Sequence, residues 1–318
     1  MPAGAPVTAM IIETINLSKR YGDLVALNNL NLRIEEGACF GYIGPNGAGK
    51  TTTIKILATL LRPSWGEARV CGHVVGYESR KIRPVIGYVP DFFGAYNDMV
   101  VQEYLEFFAS AYGLTGQNGR RIVGDVLDLT DLVYKRDAPV DGLSRGMKQR
   151  LSIARVLLHD PKVLLLDEPA SGLDPRARIE IRELLKELHR MGKTILISSH
   201  ILHELAELCT TIGIIERGEM VFQGPIGEAI RRARVGTRVR VGVLGQLDEA
   251  AHVLARLEQV KSVRHRNGCL SVEMKADVHD FSLLAAALLK HHLPLTELRE
   301  EEVDLESVFL RLTKGVVQ

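Results

Sequence analysis

The sequence predicts an α/β protein: a three-layer domain around a parallel sheet, followed by a small two-layer α+β domain. Three observations carry that expectation. Gly44-Pro45-Asn46-Gly47-Ala48-Gly49-Lys50-Thr51 fits the pattern G-x-x-x-x-G-K-[ST] at every fixed position. It follows the apolar run Ala38 to Ile43 and precedes helical spacing at Ile54, Leu57, Ala58 and Leu61. Val163 to Leu166 is fully apolar, ends at Asp167-Glu168-Pro169, and reads as a buried parallel strand. A helix with Ile181, Leu184, Leu185 and Leu188 on one face leads to a second buried strand, Thr194 to Ile197, closed by Ser198-Ser199-His200. Such alternation puts helices on the faces of a sheet.

The remaining elements follow in order. Ile11 to Leu17 and Leu30 to Ile34 read as strands, with Tyr21-Gly22 as a turn between them. From Gly66 to Val89 short apolar runs alternate with glycines, the pattern of strands joined by turns. Phe92 to Tyr112 is rich in aromatic residues, and the spacing of Tyr104, Phe107 and Phe108 predicts an amphipathic helix. Aromatic residues at that spacing usually face a core; the alternative is a docking surface formed with Phe92, Phe93 and Tyr96. Arg217-Gly218-Glu219 and Gln223-Gly224-Pro225 bound a last short strand.

After Ala229 the texture changes. Val239 to Leu244 and Leu270 to Met274 read as strands, and Ala250 to Leu257, Phe281 to His291 and Val303 to Leu312 as helices. The β–α–β–(β)–α–β order predicts a ferredoxin-like domain with a terminal helix. The expected domains are therefore residues 10–228 and 229–318. Arg231, Arg232, Arg234, Arg238 and Arg240 are read as a solvated helix end and junction, with acidic lipid headgroups as the alternative contact.

The chain has 318 residues, enough for two domains and a large buried core. Charged residues make up 25% and hydrophobic residues 46%, ordinary values for a globular protein. A formal net charge of +1 gives no reason to expect nucleic acid as a partner. Cys39, Cys71, Cys209 and Cys269 show no C-x-x-C spacing, which fits a reducing compartment; Cys39 and Cys71 read as small buried hydrophobes in strands. No segment approaches the eighteen or so apolar residues that span a bilayer. Work at a membrane would need another chain to cross it.

The first motif predicts a phosphate site. Its glycines let backbone N–H groups turn inward around an anion, and the following helix N-terminus adds roughly half a positive charge. Lys50 would reach the β- and γ-phosphates, and the Thr51 hydroxyl would ligate Mg²⁺. Asp167 and Glu168 sit at a strand end, where parallel sheets present side chains to ligands. Asp167 would hold Mg²⁺, and Glu168 would orient or deprotonate the attacking water. The chain is thus expected to bind a nucleoside triphosphate.

Over residues 14–224 these motifs, in this order, resemble the ATP-binding subunit of an ATP-binding cassette transporter. Tyr21 matches the aromatic that stacks on adenine in that family. Leu143-Ser144-Arg145-Gly146-Met147 matches the position of its signature, usually L-S-G-G-Q. Ser171-Gly172-Leu173-Asp174 matches its D-loop and His200 its switch histidine, a γ-phosphate contact. The resemblance implies a P-loop NTPase fold with a helical subdomain, and two cassettes closing head to tail around two ATP molecules. Gly44 to Thr52 would hold one nucleotide, while Ser144 and Gly146 would cap the γ-phosphate held by a second copy. Lys50, Glu168 and His200 would be the catalytic groups, with Thr51, Asp167 and Asp91 at the metal.

Two departures stand out. Asp91 occupies a position where the family usually has Gln, and Arg145 and Met147 alter the signature. Val303 to Phe309 resembles an extension on cassettes of drug- and polymer-export systems. The leading expectation is an ATPase on the cytoplasmic face of the membrane, driving export through separate membrane-spanning permease subunits. The alternative is a soluble or regulatory ATPase of this type without a membrane partner. A single motif set and near-neutral charge speak against the nucleic-acid-handling members.

Overall fold

A computed structural model describes residues 9–91, 94, 98–199, 202–233, 238–266, 268–275, 278, 280–301 and 305–313. They divide into two compact units, one running through Ile226 and one starting at Gly227.

The first unit opens with a long hairpin, β1 (Met10–Tyr21) and β2 (Leu24–Glu35), turning at Gly22 with φ 56°. β3 (Cys39–Ile43) leads through the glycine-rich loop into α1 (Lys50–Leu57). Then come β4 (Trp65–Val70), β5 (His73–Val74), α2 (Ser79–Ile82) and β6 (Ile86–Val89). Three helices follow, α3 (Val101–Ala111), α4 (Gly116–Leu129) and α5 (Arg145–Leu157), packed on one another. The chain re-enters the layered body with β7 (Val163–Asp167), α6 (Pro175–Arg190), β8 (Thr194–Ser199), α7 (Leu202–Leu208), β9 (Thr211–Glu216) and β10 (Glu219–Pro225).

Two sheets result: an antiparallel one ordered β2-β1-β4-β5, and a six-stranded one ordered β10-β9-β3-β8-β7-β6. In the second, every pairing is parallel except the edge strand β10. The strands β3, β7 and β8 are buried on both faces, which is why they read as unbroken apolar runs. A core of Ile12, Leu17, Leu30, Tyr42, Ile54, Leu165 and Leu196 joins the two sheets through α1.

One helix was not foreseen, and two expectations need correction. The 14-residue helix α4 was not foreseen; its sequence carries three glycines, and Val123, Val126 and Leu127 supply its buried apolar face. Cys71 lies in the β4–β5 turn with φ 50°, half-buried, rather than in a strand. Tyr104 is fully buried while Phe107 is 46% exposed, so the aromatic stripe of α3 only partly faces the core. Phe92, Phe93 and Tyr96 lie outside the described residues.

In the second unit, α8 (Ile226–Arg232) stands at the boundary. It is followed by β11 (Arg238–Val243), α9 (Leu247–Ala255), β12 (Val260–Arg266), β13 (Cys269–Met274), α10 (Ser282–Lys290), β14 (Leu295–Glu301) and α11 (Leu305–Leu312). The sheet is antiparallel throughout, ordered β12-β13-β11-β14. Val239, Val241, Leu270 and Val272 bury one face of it against Leu254, Leu284 and Leu288. Arg238 and Arg240 belong to strand β11, not to a helix end, and Arg240 pairs with Glu297 of β14 at 3.2 Å.

Candidate active site

A cleft of about 450 Å³ is lined by Pro45 to Thr52 of the loop and α1, by Tyr21, Leu24 and Ala26 of the β1–β2 hairpin, and by Asp91, Glu168 and Ser171. The strand order makes this convergence. β8 lies between β3 and β7, so the loop after β3 and the acids at the end of β7 flank the last residues of β8. Register pairs Tyr42 with Ser198 and Ser198 with Asp167.

Close packing fixes the loop. Gly49, at φ 107°, has the Ala26 carbonyl 2.7 Å from where a Cβ would stand, so the hairpin presses directly on the loop backbone. A Cβ on Gly44 would meet the Ile215 carbonyl oxygen at 2.5 Å, and neither backbone can yield cheaply. Gly44→Ala should therefore cost about 1–3 kcal/mol, read as a lower unfolding midpoint. An unchanged midpoint would mean that the loop and β9 separate freely.

Lys50 is 6% exposed. Its ammonium donates to the Gly44 carbonyl at 2.6 Å and the Pro45 carbonyl at 3.2 Å, and stands 3.7 Å from a Glu168 carboxylate oxygen. Burial pushes its pKa down, against the opposing pull of the Glu168 and Asp167 carboxylates. Thr51 donates from its hydroxyl to Asp167 Oδ1 at 3.2 Å. Ser198 donates to the same oxygen at 2.8 Å and accepts from the Glu168 N–H at 3.0 Å. Glu168 holds φ 51°, a left-handed conformation that costs about 1 kcal/mol or more in a residue with a Cβ. The Ser198 hydroxyl and carbonyl hold its N–H in place.

Ser198 is the residue that sequence reasoning passed over as a strand end. The available signal was two serines closing an apolar run that parallels the one ending in Asp167. Asp91 is exposed at the rim of the cleft. Burial, with the Asp167 and Asp91 charges adding to it, pushes the pKa of the half-buried Tyr88 hydroxyl up to about 12, so both carboxylates bear on this end of the sheet. Tyr21 lines the cleft with a partly exposed ring, the Lys19 ammonium 5.2 Å from its centroid. His200 lies outside the described residues.

Ser144 and Gly146 do not join this cleft. Ser144 is exposed and caps α5, its side chain accepting from the Met147 N–H at 3.3 Å. Gly146 faces α6, where a Cβ would come within 2.7 Å of Ala177 Cβ. The glycine therefore has a packing reason independent of any ligand.

A parallel sheet with a glycine-rich loop, a buried lysine and a carboxylate pair at its strand ends defines a P-loop nucleotide-binding protein. Residues 27–171 match the family described as ABC transporter. The linearmycin resistance ATP-binding protein LnrL of Bacillus subtilis (strain 168) is 34% identical over 307 residues, covering 95% of this chain and 98% of that protein. Nod factor export ATP-binding protein I of Ralstonia nicotianae is 36% identical, covering 95% and 94%. Among solved structures, the dimeric MJ0796, a bacterial ABC transporter cassette, is 29% identical with a TM-score of 0.62, covering 68% of this chain and 98% of that one. The chain belongs to the ABC transporter family, as one of its ATP-binding ATPase subunits.

Proposed function

We propose that this chain binds Mg²⁺-ATP in the cleft, closes on a second copy of itself, and drives export through separate membrane-spanning subunits at the cytoplasmic face. The observation that carries the catalytic part is the convergence of Lys50, Thr51, Asp167, Glu168 and Ser198 over three adjacent strand ends. Backbone N–H groups of Gly47 to Thr51 and the Lys50 ammonium bind the phosphates, the ammonium exchanging its loop carbonyls for phosphate oxygens. Tyr21 takes the base.

The hydroxyl and carboxylate oxygens of Thr51 and Asp167 are the hard donors that Mg²⁺ prefers, so the residues fit the ion. Asp91, a third carboxylate at the rim, lies on the same side. Mg²⁺ supplies neutralisation of charge on the phosphate oxygens. Glu168 orients and deprotonates the attacking water, its position set by the Ser198 contacts to its N–H. His200 contacts the γ-phosphate.

Ser144 and Gly146 stand outside the chain's own cleft, which supports a role toward the nucleotide of a second copy. Among the described residues no helix is long and apolar enough to cross a membrane, which supports a separate membrane subunit. The export direction rests on relatives named for Nod factor export.

Ser198 gives a direct test. Ser198→Ala removes the shorter of two hydrogen bonds to Asp167 Oδ1. Phosphate release measured against Mg²⁺ concentration should shift to half-saturation about tenfold higher, as for other lost supports of a metal ligand. Removal of Mg²⁺ with EDTA should stop turnover in both proteins. Turnover independent of the metal would contradict the assignment.

A further inference from the structure

The turn 171–174 is gripped by arginines from two helices. Arg178, in the first turn of α6, donates from Nε to the Leu173 carbonyl at 2.9 Å. The same guanidinium pairs with Glu204 of α7 at 3.8 Å. The Glu204 side chain is only 14% exposed, so water competes weakly for it. One turn along, Arg182 repeats the link to Glu207 at 2.7 Å. The Arg145 guanidinium of α5 lies over Gly172, where a Cβ would stand 2.3 Å from Nη1; the glycine, at φ 65°, leaves that seat open.

The other end of the turn is tied to the cleft. The Ser171 N–H donates to the Glu168 carbonyl at 3.0 Å, and Ser171 itself lines the cleft. α7 begins two residues after His200. A continuous path thus runs from Glu168 through the turn and Arg178 to α7.

We infer that Arg178 is a positioning residue that ties the 171–174 turn to α7, so that Glu168, the turn and α7 keep one alignment during turnover. The inference rests on the hydrolytic reading of the cleft. At 3.8 Å, and with the Arg178 side chain 34% exposed, the pair contributes little to stability, so the arrangement of Arg178 and Glu204 matters for alignment rather than for folding. Misplacing a group near the chemistry by an ångström costs up to about a hundredfold in rate without touching ground-state binding.

The test is steady-state ATP hydrolysis by full-length protein with Arg178→Ala, Glu204→Ala, the double variant and Arg178→Lys. Arg178→Ala should lower kcat by about ten- to a hundredfold while KM for ATP stays within about twofold and the thermal midpoint barely moves. The double variant should be no worse than the more severe single one, because both break the same tie. Arg178→Lys should recover part of the rate, since an ammonium still reaches the carbonyl or the carboxylate. The inference is overturned by wild-type kcat in Arg178→Ala, by additive losses in the double variant, or by a kcat loss that tracks a fall in midpoint. If instead wild-type protein releases phosphate no faster than Glu168→Gln, it is the hydrolytic reading that fails.

Discussion

Replacing Lys50 with methionine will weaken ATP capture by about a hundredfold and reduce turnover to background. A 6% exposed ammonium has left water, and its pKa is lowered for that reason. Its present partners are two loop carbonyls and the Glu168 carboxylate. Phosphate oxygens are better acceptors than carbonyls, because both partners then carry charge, and such hydrogen bonds contribute about 1.5–3 kcal/mol each. Losing one or two of them accounts for the expected factor in affinity. Methionine keeps the apolar stem and its packing, so the fold should survive. Equilibrium binding of a fluorescent ATP analogue and phosphate release would both report the change. Affinity within a few-fold of wild type would remove Lys50 from the phosphate site.

Glu168→Gln separates binding from chemistry. The amide keeps the shape and loses the charge, so the water is no longer deprotonated; kcat should fall by about a thousandfold. ATP should remain bound and intact, because a negative charge facing the γ-phosphate has been removed. Quenched-flow analysis of the bound nucleotide would distinguish ATP from ADP. Turnover within tenfold of wild type would assign the proton transfer to another group.

Much of the cleft was legible because phosphate chemistry imposes local rules. Glycines at fixed offsets, a lysine and a hydroxyl must follow one another between a strand and a helix, and Gly44 to Thr51 does so. Asp167 and Glu168 were legible because a strand buried on both faces is a conspicuous apolar run. Ser198 was hidden, since its importance comes from its register between Tyr42 and Asp167, and register is not a local property. The left-handed backbone of Glu168 was hidden for the same reason, being held by contacts from β8. α4 escaped because Gly116, Gly119 and Gly124 read as turn residues and drew attention from the helical spacing of Ile122, Val123, Val126, Leu127 and Leu129. β12 and β14 were counted in the expected order but not placed on residues, because VKSVRHR and LTELREE carry charged residues that mask the β period. Arg178 illustrates a third limit. Its sequence position says only that it lies in a helix, while its ion pair with Glu204 joins two different helices, a pairing that local patterning does not show.

On the proposed reading, a second copy completes the site when ATP is bound. Sedimentation velocity of Glu168→Gln protein, with and without saturating Mg²⁺-ATP, tests it most directly. The expected result is a single-chain mass without nucleotide, a two-chain mass with it, and no shift when Lys50→Met is added. A single-chain mass at saturating ATP, or a two-chain mass indifferent to nucleotide, would contradict it.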